Sequence, residues 1–233
     1  MRTQTAATVA ILGACALGLP SLRQPAAAAA AAGATLGLLV VARSAGLSAE
    51  DLGLGAAAAP RGAAVAAGAT ALAGSSYGVV LRTRWAEQVF DDDRLPTAWR
   101  PAFVEAFAVI PLQTVWLEEL GYRGVLPALL ERDHGPRAAW LASAALFGLS
   151  HVRPAVEFER ARRREEAGST TAAVAGTVAA TAVAGLALGW LRRRTGSLLA
   201  PMGVHWSLNA GGVLAGVSAR RGPPATAGSR CSA

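Results

Sequence analysis

Long windows without a single Asp, Glu, Lys or Arg constrain this chain more than any other feature of its sequence. A helix needs about 20 mostly apolar residues to cross a bilayer, and backbone groups inside lipid have to hydrogen bond within their own segment. The window at 138–152 is short and needs its flanks to span. Together the windows predict membrane-crossing helices at residues 3–22, 24–42, 62–81, 138–152, 167–191 and 195–219.

A seventh apolar segment, residues 101–130, is long enough to cross a bilayer although it contains charged residues, and Pro111 is placed to kink or divide it. The chain is 53% hydrophobic and 16% charged, which is too apolar for an ordinary soluble domain. We therefore predict an all-α, polytopic transmembrane helical bundle with about seven spanning helices, forming one membrane domain over residues 1–233. The first window also imitates a secretory signal, but we expect an uncleaved helix.

The distribution of charged residues indicates which partners the protein contacts. All 22 basic residues are arginines, the formal net charge is +7, and the arginines cluster between apolar windows. This pattern favours contact with membrane lipid headgroups and excludes nucleic acid as the expected partner. Seven spans place the loops at 82–100 and 153–166 and the tail on one side, which the positive-inside rule makes cytoplasmic. We expect an integral membrane protein, in the plasma membrane of a bacterium. In the connector 43–54, Ser48 is a candidate helix cap.

Charged residues inside apolar segments mark candidate sites, because each costs about 2.5 to 3.5 kcal/mol at the centre of a bilayer. In WLEELGYRG, Glu119 and Arg123 are four residues apart and share a helix face, whereas Glu118 is rotated by about 100°. One interpretation is a structural ion pair at a helix end. That interpretation leaves Glu118 without a partner.

Two further helices carry polar pairs at the same spacing. Phe147 and His151 lie near the end of one window, where an interfacial histidine is the structural alternative. His205 and Asn209 lie in MGVHWSLNAGG, where interhelical hydrogen bonding is the alternative and the glycines are packing positions. A carboxylate, a cation, two imidazoles and an amide from three helices would be suited to activating water and stabilising an oxyanion.

These three blocks, Glu118-Glu119-x-x-x-Arg123, Phe147-x-x-x-His151 and His205-x-x-x-Asn209, resemble the signature of the CAAX protease and bacteriocin-processing (CPBP, or Abi) family, which includes type II CAAX prenyl endopeptidases. The resemblance covers about residues 101–216, the expected catalytic core. It implies an intramembrane endopeptidase acting on membrane-associated or lipidated peptides. By analogy, Glu118 and His151 activate water, His205 and Asn209 hold the oxyanion, and Glu119 and Arg123 form a supporting pair.

Alternatives remain open at this point. Glu118, His151 and His205 could supply the three ligands of a catalytic zinc. We nevertheless expect no cofactor, because no helix carries a preorganised pair of histidines and Asn209 suits an oxyanion better than a metal. A non-catalytic protein of the same fold, acting in partner binding or bacteriocin self-immunity, is the alternative function. A transporter is disfavoured because two halves with matching interrupted helices are not visible.

Overall fold

The computed structural model describes residues 2–90, 92, 94–162 and 170–221, and within them the regular structure is helical with no strand. This confirms the all-α prediction. The segments 163–169 and 222–233, which belong to a predicted loop and the tail, lie outside the described residues. The helices are α1 (Arg2–Gly18), α2 (Ala26–Ser44), α3 (Ala49–Leu52), α4 (Ala59–Val80), α5 (Ala86–Val89), α6 (Trp99–Val104), α7 (Trp116–Glu119), α8 (Leu126–Ser150), α9 (Val152–Arg162), α10 (Thr170–Thr195) and α11 (Leu199–Ala219).

The helices α6, α7 and α8 are joined without a loop by two π-helical stretches, Glu105–Val115 and Leu120–Val125. Pro111 lies inside the first stretch and does not divide the segment. A π-helical turn is wider than an α-helical one, and a helix commonly takes this form at functional sites. The chain breaks direction inside α8 instead, at Gly135, whose φ of 78° is accessible to glycine, and Pro136 begins the following helical segment.

All seven predicted apolar segments fold as helices. Four stretches are long and apolar enough to cross a membrane by length and composition, namely Arg2–Ser21, Ala26–Ser44, Ala49–Val80 and Thr171–Thr195. The three remaining predicted segments are the ones that carry the polar motifs.

The two ends of the bundle are defined by their contacts. At one end, which we call the α9 end, the Arg94 guanidinium lies 4.5 Å from the ring centre of Phe158, and Arg220 donates a 2.9 Å hydrogen bond to the Leu95 carbonyl. Arg153 reaches Ser21 at the same end, at 2.7 Å. The loop at 81–98, α9 and the end of α11 thus meet on one side, as seven spans predict.

The opposite end, which we call the α3 end, is held by arginines that bind backbone carbonyls. Arg192 donates to the Asp51 carbonyl at 2.9 Å and Arg132 to the Ala45 carbonyl at 2.7 Å. Ser48 caps α3 as predicted, since its hydroxyl accepts from the Asp51 amide at 3.1 Å and its own amide donates to the Asp51 carboxylate at 2.8 Å. These bonds fix the connector between α2 and α4.

The helical segment that carries Glu118, Glu119 and Arg123 is closely packed. Leu120, Leu126 and Leu129 are fully buried, and they pack with Leu38 and Leu198 of neighbouring helices. Along α10, small residues allow close approach to α8, because a Cβ at Gly185 would lie 3.1 Å from Ala144 Cα. The motif helix is therefore held rigidly at the centre of the bundle.

The docking of the 81–98 loop should depend on pH. Hydrogen bonds from Arg94 hold the pKa of the Asp92 carboxyl below its usual range. Because this pKa is lowered in the folded protein, ionised Asp92 stabilises the loop at pH values above the unfolded pKa near 4, and the stabilisation is lost as the pH falls from there through the lower folded pKa. We expect the protection of the loop amides, which is the exchange rate corrected for its intrinsic pH dependence, to decrease below about pH 4, and Asp92→Asn to remove that dependence. Equal pH dependence in the variant would contradict the assignment.

Candidate active site

The Glu119 carboxylate forms the centre of the site. Its side chain is 0% exposed and that of Arg123 is 2% exposed, and Arg123 Nη1 donates to Glu119 Oε1 at 2.9 Å. His205 Nδ1 lies 2.8 Å from the same oxygen, so this nitrogen carries the proton that the carboxylate accepts. The pair expected from the spacing is formed, and a residue of α11 joins it. Two donors offset the desolvation of the buried carboxylate.

The Phe147 ring organises the residues around this pair. The Arg123 guanidinium carbon lies 3.9 Å from the ring centre, in cation–π contact. The rings of His151 and His205 approach Phe147 edge-on, with centres 4.7 Å and 6.2 Å away, and the Tyr122 ring lies at 5.3 Å. Phe147 thereby fixes the two imidazoles and the cation relative to one another.

Glu118 takes a different direction from its neighbour, as its position on the helix requires. Its side chain is 25% exposed, and its Oε2 lies 3.9 Å from His205 Nε2, which is too long for a hydrogen bond. Glu118 Oε2 is buried and has no hydrogen-bond partner within the described part of the chain. The carboxylate and the imidazole therefore both remain available to a ligand.

Glu118 and His151 line the same cavity of about 190 Å³. His151 Nδ1 lies 2.8 Å from the Phe147 carbonyl, so Nδ1 donates and Nε2 is left as an acceptor in the neutral ring. The position of His151 follows from the end of α8, where it is the C-cap residue. The cavity thus combines a carboxylate with an imidazole whose tautomer is fixed by the backbone.

Asn209 is placed differently from the other predicted residues. It lies one turn after His205 on α11, its side chain is exposed, and it forms no hydrogen bond to the residues that the structure describes. The structure therefore brings together Glu118, Glu119, Arg123, His151 and His205, and leaves Asn209 at the open margin of the helix. Its amide is free to bind a ligand.

The spacing of the possible ligand side chains decides whether the site could hold a metal ion. Across residues 2–90, 92, 94–162 and 170–221, no group of three or more His, Cys, Asp and Glu side chains has a spacing that could hold a metal ion. His205 Nδ1 is engaged with Glu119, and His151 Nδ1 with a carbonyl. Each imidazole therefore leaves its Nε2 atom without a hydrogen-bond partner in the described part of the chain.

Several wall residues could not be found from the sequence. Cys15 of α1 and Gln113 of the first π-helical stretch line the cavity beside Glu118, and Tyr122 separates it from neighbouring spaces. The bond between Glu119 and His205 was also not foreseen, since it joins residues 86 positions apart. Helical periodicity carries no signal for such contacts, because they arise from packing between helices.

Comparison with known proteins agrees with the motifs. Residues 100–211 match the family model described as type II CAAX prenyl endopeptidase Rce1-like, and this range contains all six predicted site residues. Curated proteins and solved structures give no match. The matched range contains the buried ion pair and both imidazoles, whereas part of the cavity wall comes from α1. The match over residues 100–211 supports the assignment of this integral membrane protein to the Rce1-like family of CAAX proteases.

Proposed function

We propose that this protein is an intramembrane endopeptidase that hydrolyses peptide bonds of membrane-associated or lipidated peptides through a water activated by Glu118 and His151. The observation that carries the proposal is the unpartnered Glu118 oxygen, 3.9 Å from His205 Nε2 and in one cavity with His151. A carboxylate that lies near one imidazole, shares a cavity with a second and is not hydrogen bonded to the protein is suited to accept a proton from water.

Glu118 is the base in this proposal because Arg123 is bound to its neighbour. Arg123 donates to Glu119, so the lone pairs of Glu118 stay free. In the reaction, water adds its oxygen to the peptide carbonyl carbon and gives a proton to Glu118. The C–N bond then breaks, and the same proton passes to the departing amine. His151 Nε2 accepts the second hydrogen bond of the water and positions it.

His205 stabilises the oxyanion in this proposal. In this proposal the ring carries a proton on each nitrogen, so that Nδ1 donates to Glu119 and Nε2 donates to the oxyanion. The exposed amide of Asn209, one turn along α11, supplies a second donor. Glu119 and Arg123 act as positioning residues, because Glu119 binds His205 and Arg123 binds Glu119.

The surroundings of the cavity favour a substrate that enters from lipid. The cavity shares Leu12, Ala16, Tyr122 and Ser150 with an apolar groove of about 270 Å³ that runs between α1 and α8. Aliphatic side chains dominate the groove, so it suits an acyl or isoprenoid chain or an apolar segment of a membrane peptide. We place the protein in a bacterial plasma membrane, with the α9 end in the cytoplasm.

The proposal is tested by cleavage in proteoliposomes. Peptides with a lipidated cysteine near the C-terminus and a transmembrane peptide are offered to the purified protein, with an unlipidated peptide of the same sequence as the control. We expect cleavage of a lipidated or transmembrane peptide and slower cleavage of the unlipidated one. Folded protein that cleaves none of them would overturn the proposal.

We also expect the reaction to be independent of a metal, because within the described residues no three His, Cys, Asp or Glu side chains are grouped so that they could hold a metal ion. Cleavage rates should be equal before and after treatment with EDTA or 1,10-phenanthroline, and added zinc should not raise them. Loss of cleavage on treatment with a chelator, followed by recovery with one equivalent of zinc, would contradict this expectation.

A further inference from the structure

The proposed function requires water at Glu118 while a bound substrate fills the cavity beside it. Each cleavage consumes one water at a carboxylate that lies among apolar helices. A bound substrate would occupy the cavity at Glu118 and the apolar groove that adjoins it. A second, polar approach to the same residues would deliver water while the substrate stays bound.

A second cavity has these properties. It has a volume of about 100 Å³ and lies between α8, α10 and the second π-helical stretch. Its outer wall contains Asp51, Glu131 and Arg193, whose side chains are 45%, 50% and 47% exposed, so this part lies at the surface of the α3 end. Its inner wall contains Arg123, which is 3% exposed. The cavity therefore leads from charged surface residues to the buried ion pair.

Buried polar atoms continue the approach beyond Arg123. Within the described residues, Arg123 Nη2, Glu119 Oε2 and Glu118 Oε2 are all buried and have no hydrogen-bond partner. Buried charged groups are stabilised by hydrogen bonds, and ordered water supplies them where the protein does not. A water needs roughly 10 to 15 Å³ of such space, so the second cavity has room for several.

The three unpartnered atoms belong to residues that are connected in order. Arg123 contacts Glu119 at 2.9 Å, Glu119 contacts His205 at 2.8 Å, and His205 lies 3.9 Å from Glu118. Tyr122 lines both cavities and stands between them. The substrate cavity includes Leu19, Pro20 and Pro154 of the α9 end, so the two cavities approach the site from opposite ends of the bundle.

We propose that the second cavity is a water inlet, through which the hydrolytic water reaches Glu118 from the α3 end along the polar atoms of Arg123 and Glu119. This inference rests on the proposed hydrolytic function and adds the route of its second substrate. Arg123 has two roles in it, because it pairs with Glu119 and presents a donor to incoming water.

A filled inlet should slow hydrolysis without weakening substrate binding. Ala128 lines the second cavity, and Ala128→Leu places an apolar side chain there. We expect the single-turnover rate to fall about tenfold, equivalent to about 1.4 kcal/mol, with KM unchanged. Ala145→Leu is the matched control, since Ala145 is exposed on α8. Ala128→Ser, which keeps the cavity open, should retain the wild-type rate. Equal rates for Ala128→Leu and Ala145→Leu in folded protein would overturn the inlet.

Accessibility to water can be measured without catalysis. The two natural cysteines are first removed by Cys15→Ala and Cys231→Ala. Ala128→Cys and Ala145→Cys are then introduced in separate variants. Each variant is labelled in liposomes with a small charged thiol reagent. Because the thiolate forms in contact with water, we expect labelling at residue 128 to be at least about tenfold faster than at residue 145. Equal labelling rates would refute the inlet and leave the proposed hydrolysis untouched. Loss of cleavage with fast labelling at 128 would instead implicate the catalytic residues.

Discussion

Glu118→Gln should abolish peptide cleavage, lowering the single-turnover rate by about a hundredfold or more, in the range that general bases contribute. The amide has the shape of the carboxylate but cannot accept a proton from water. Glu118 is partly exposed, and its Oε2 has no hydrogen-bond partner in the described part of the chain, so folding should be unaffected. Cleavage in proteoliposomes and thermal unfolding of the same preparation check both statements.

The matched control for this variant is Glu105→Gln, on the same continuous helical segment but outside the cavity lining. It should retain wild-type activity. Undiminished cleavage by Glu118→Gln would show that Glu118 is not the base. If the protein has a cellular phenotype, an unchanged phenotype in Glu118→Gln, His151→Ala and His205→Ala would instead support the non-catalytic role in partner binding or self-immunity.

Arg123→Met should destabilise the protein by about 3 to 5 kcal/mol, the effect expected when one partner of a buried ion pair is removed. The side chains of Arg123 and Glu119 are 2% and 0% exposed, so the remaining carboxylate would keep His205 as its one charged partner and lose its contact with the guanidinium. Methionine preserves packing on Phe147. Unfolding in detergent micelles measures the effect.

Two comparisons separate this effect from a general loss of packing. The double variant Glu119→Gln with Arg123→Met removes both charges and should recover part of the lost stability. Arg153 and Glu157 form another pair four residues apart, at 2.7 Å, but their side chains are 32% and 45% exposed. Arg153→Met should therefore change stability by at most about 1 kcal/mol. Equal losses for Arg123→Met and Arg153→Met would contradict the buried-pair interpretation.

The sequence predicted the elements of the fold and the local pairs well. Apolar windows located seven helical segments, and a separation of four residues predicted the bond between Glu119 and Arg123. Both are local properties, since helical geometry alone determines which side chains share a face. Pro111 was placed to kink or divide its segment, and the structure shows that it does not divide it, because a π-helical stretch continues through the proline.

Contacts between helices were beyond the reach of sequence patterns. The bond between His205 and Glu119 joins α11 to α7, and Cys15 reaches the cavity from α1. Both depend on the relative rotation and depth of helices, which packing determines. Asn209 shares a face with His205 by spacing, yet it is exposed whereas His205 is buried. On α11, two residues one helical turn apart therefore lie inside and outside the packed interface.

The origin of the oxygen in the new carboxyl group tests the central claim most directly. Cleavage is run as a single turnover in water enriched in ¹⁸O, and the N-terminal product is analysed by mass spectrometry. If Glu118 activates water, the new carboxylate should carry one ¹⁸O and the protein should carry none. An unlabelled product, with label later found in Glu118, would mean that the carboxylate attacks the peptide itself and would contradict the account.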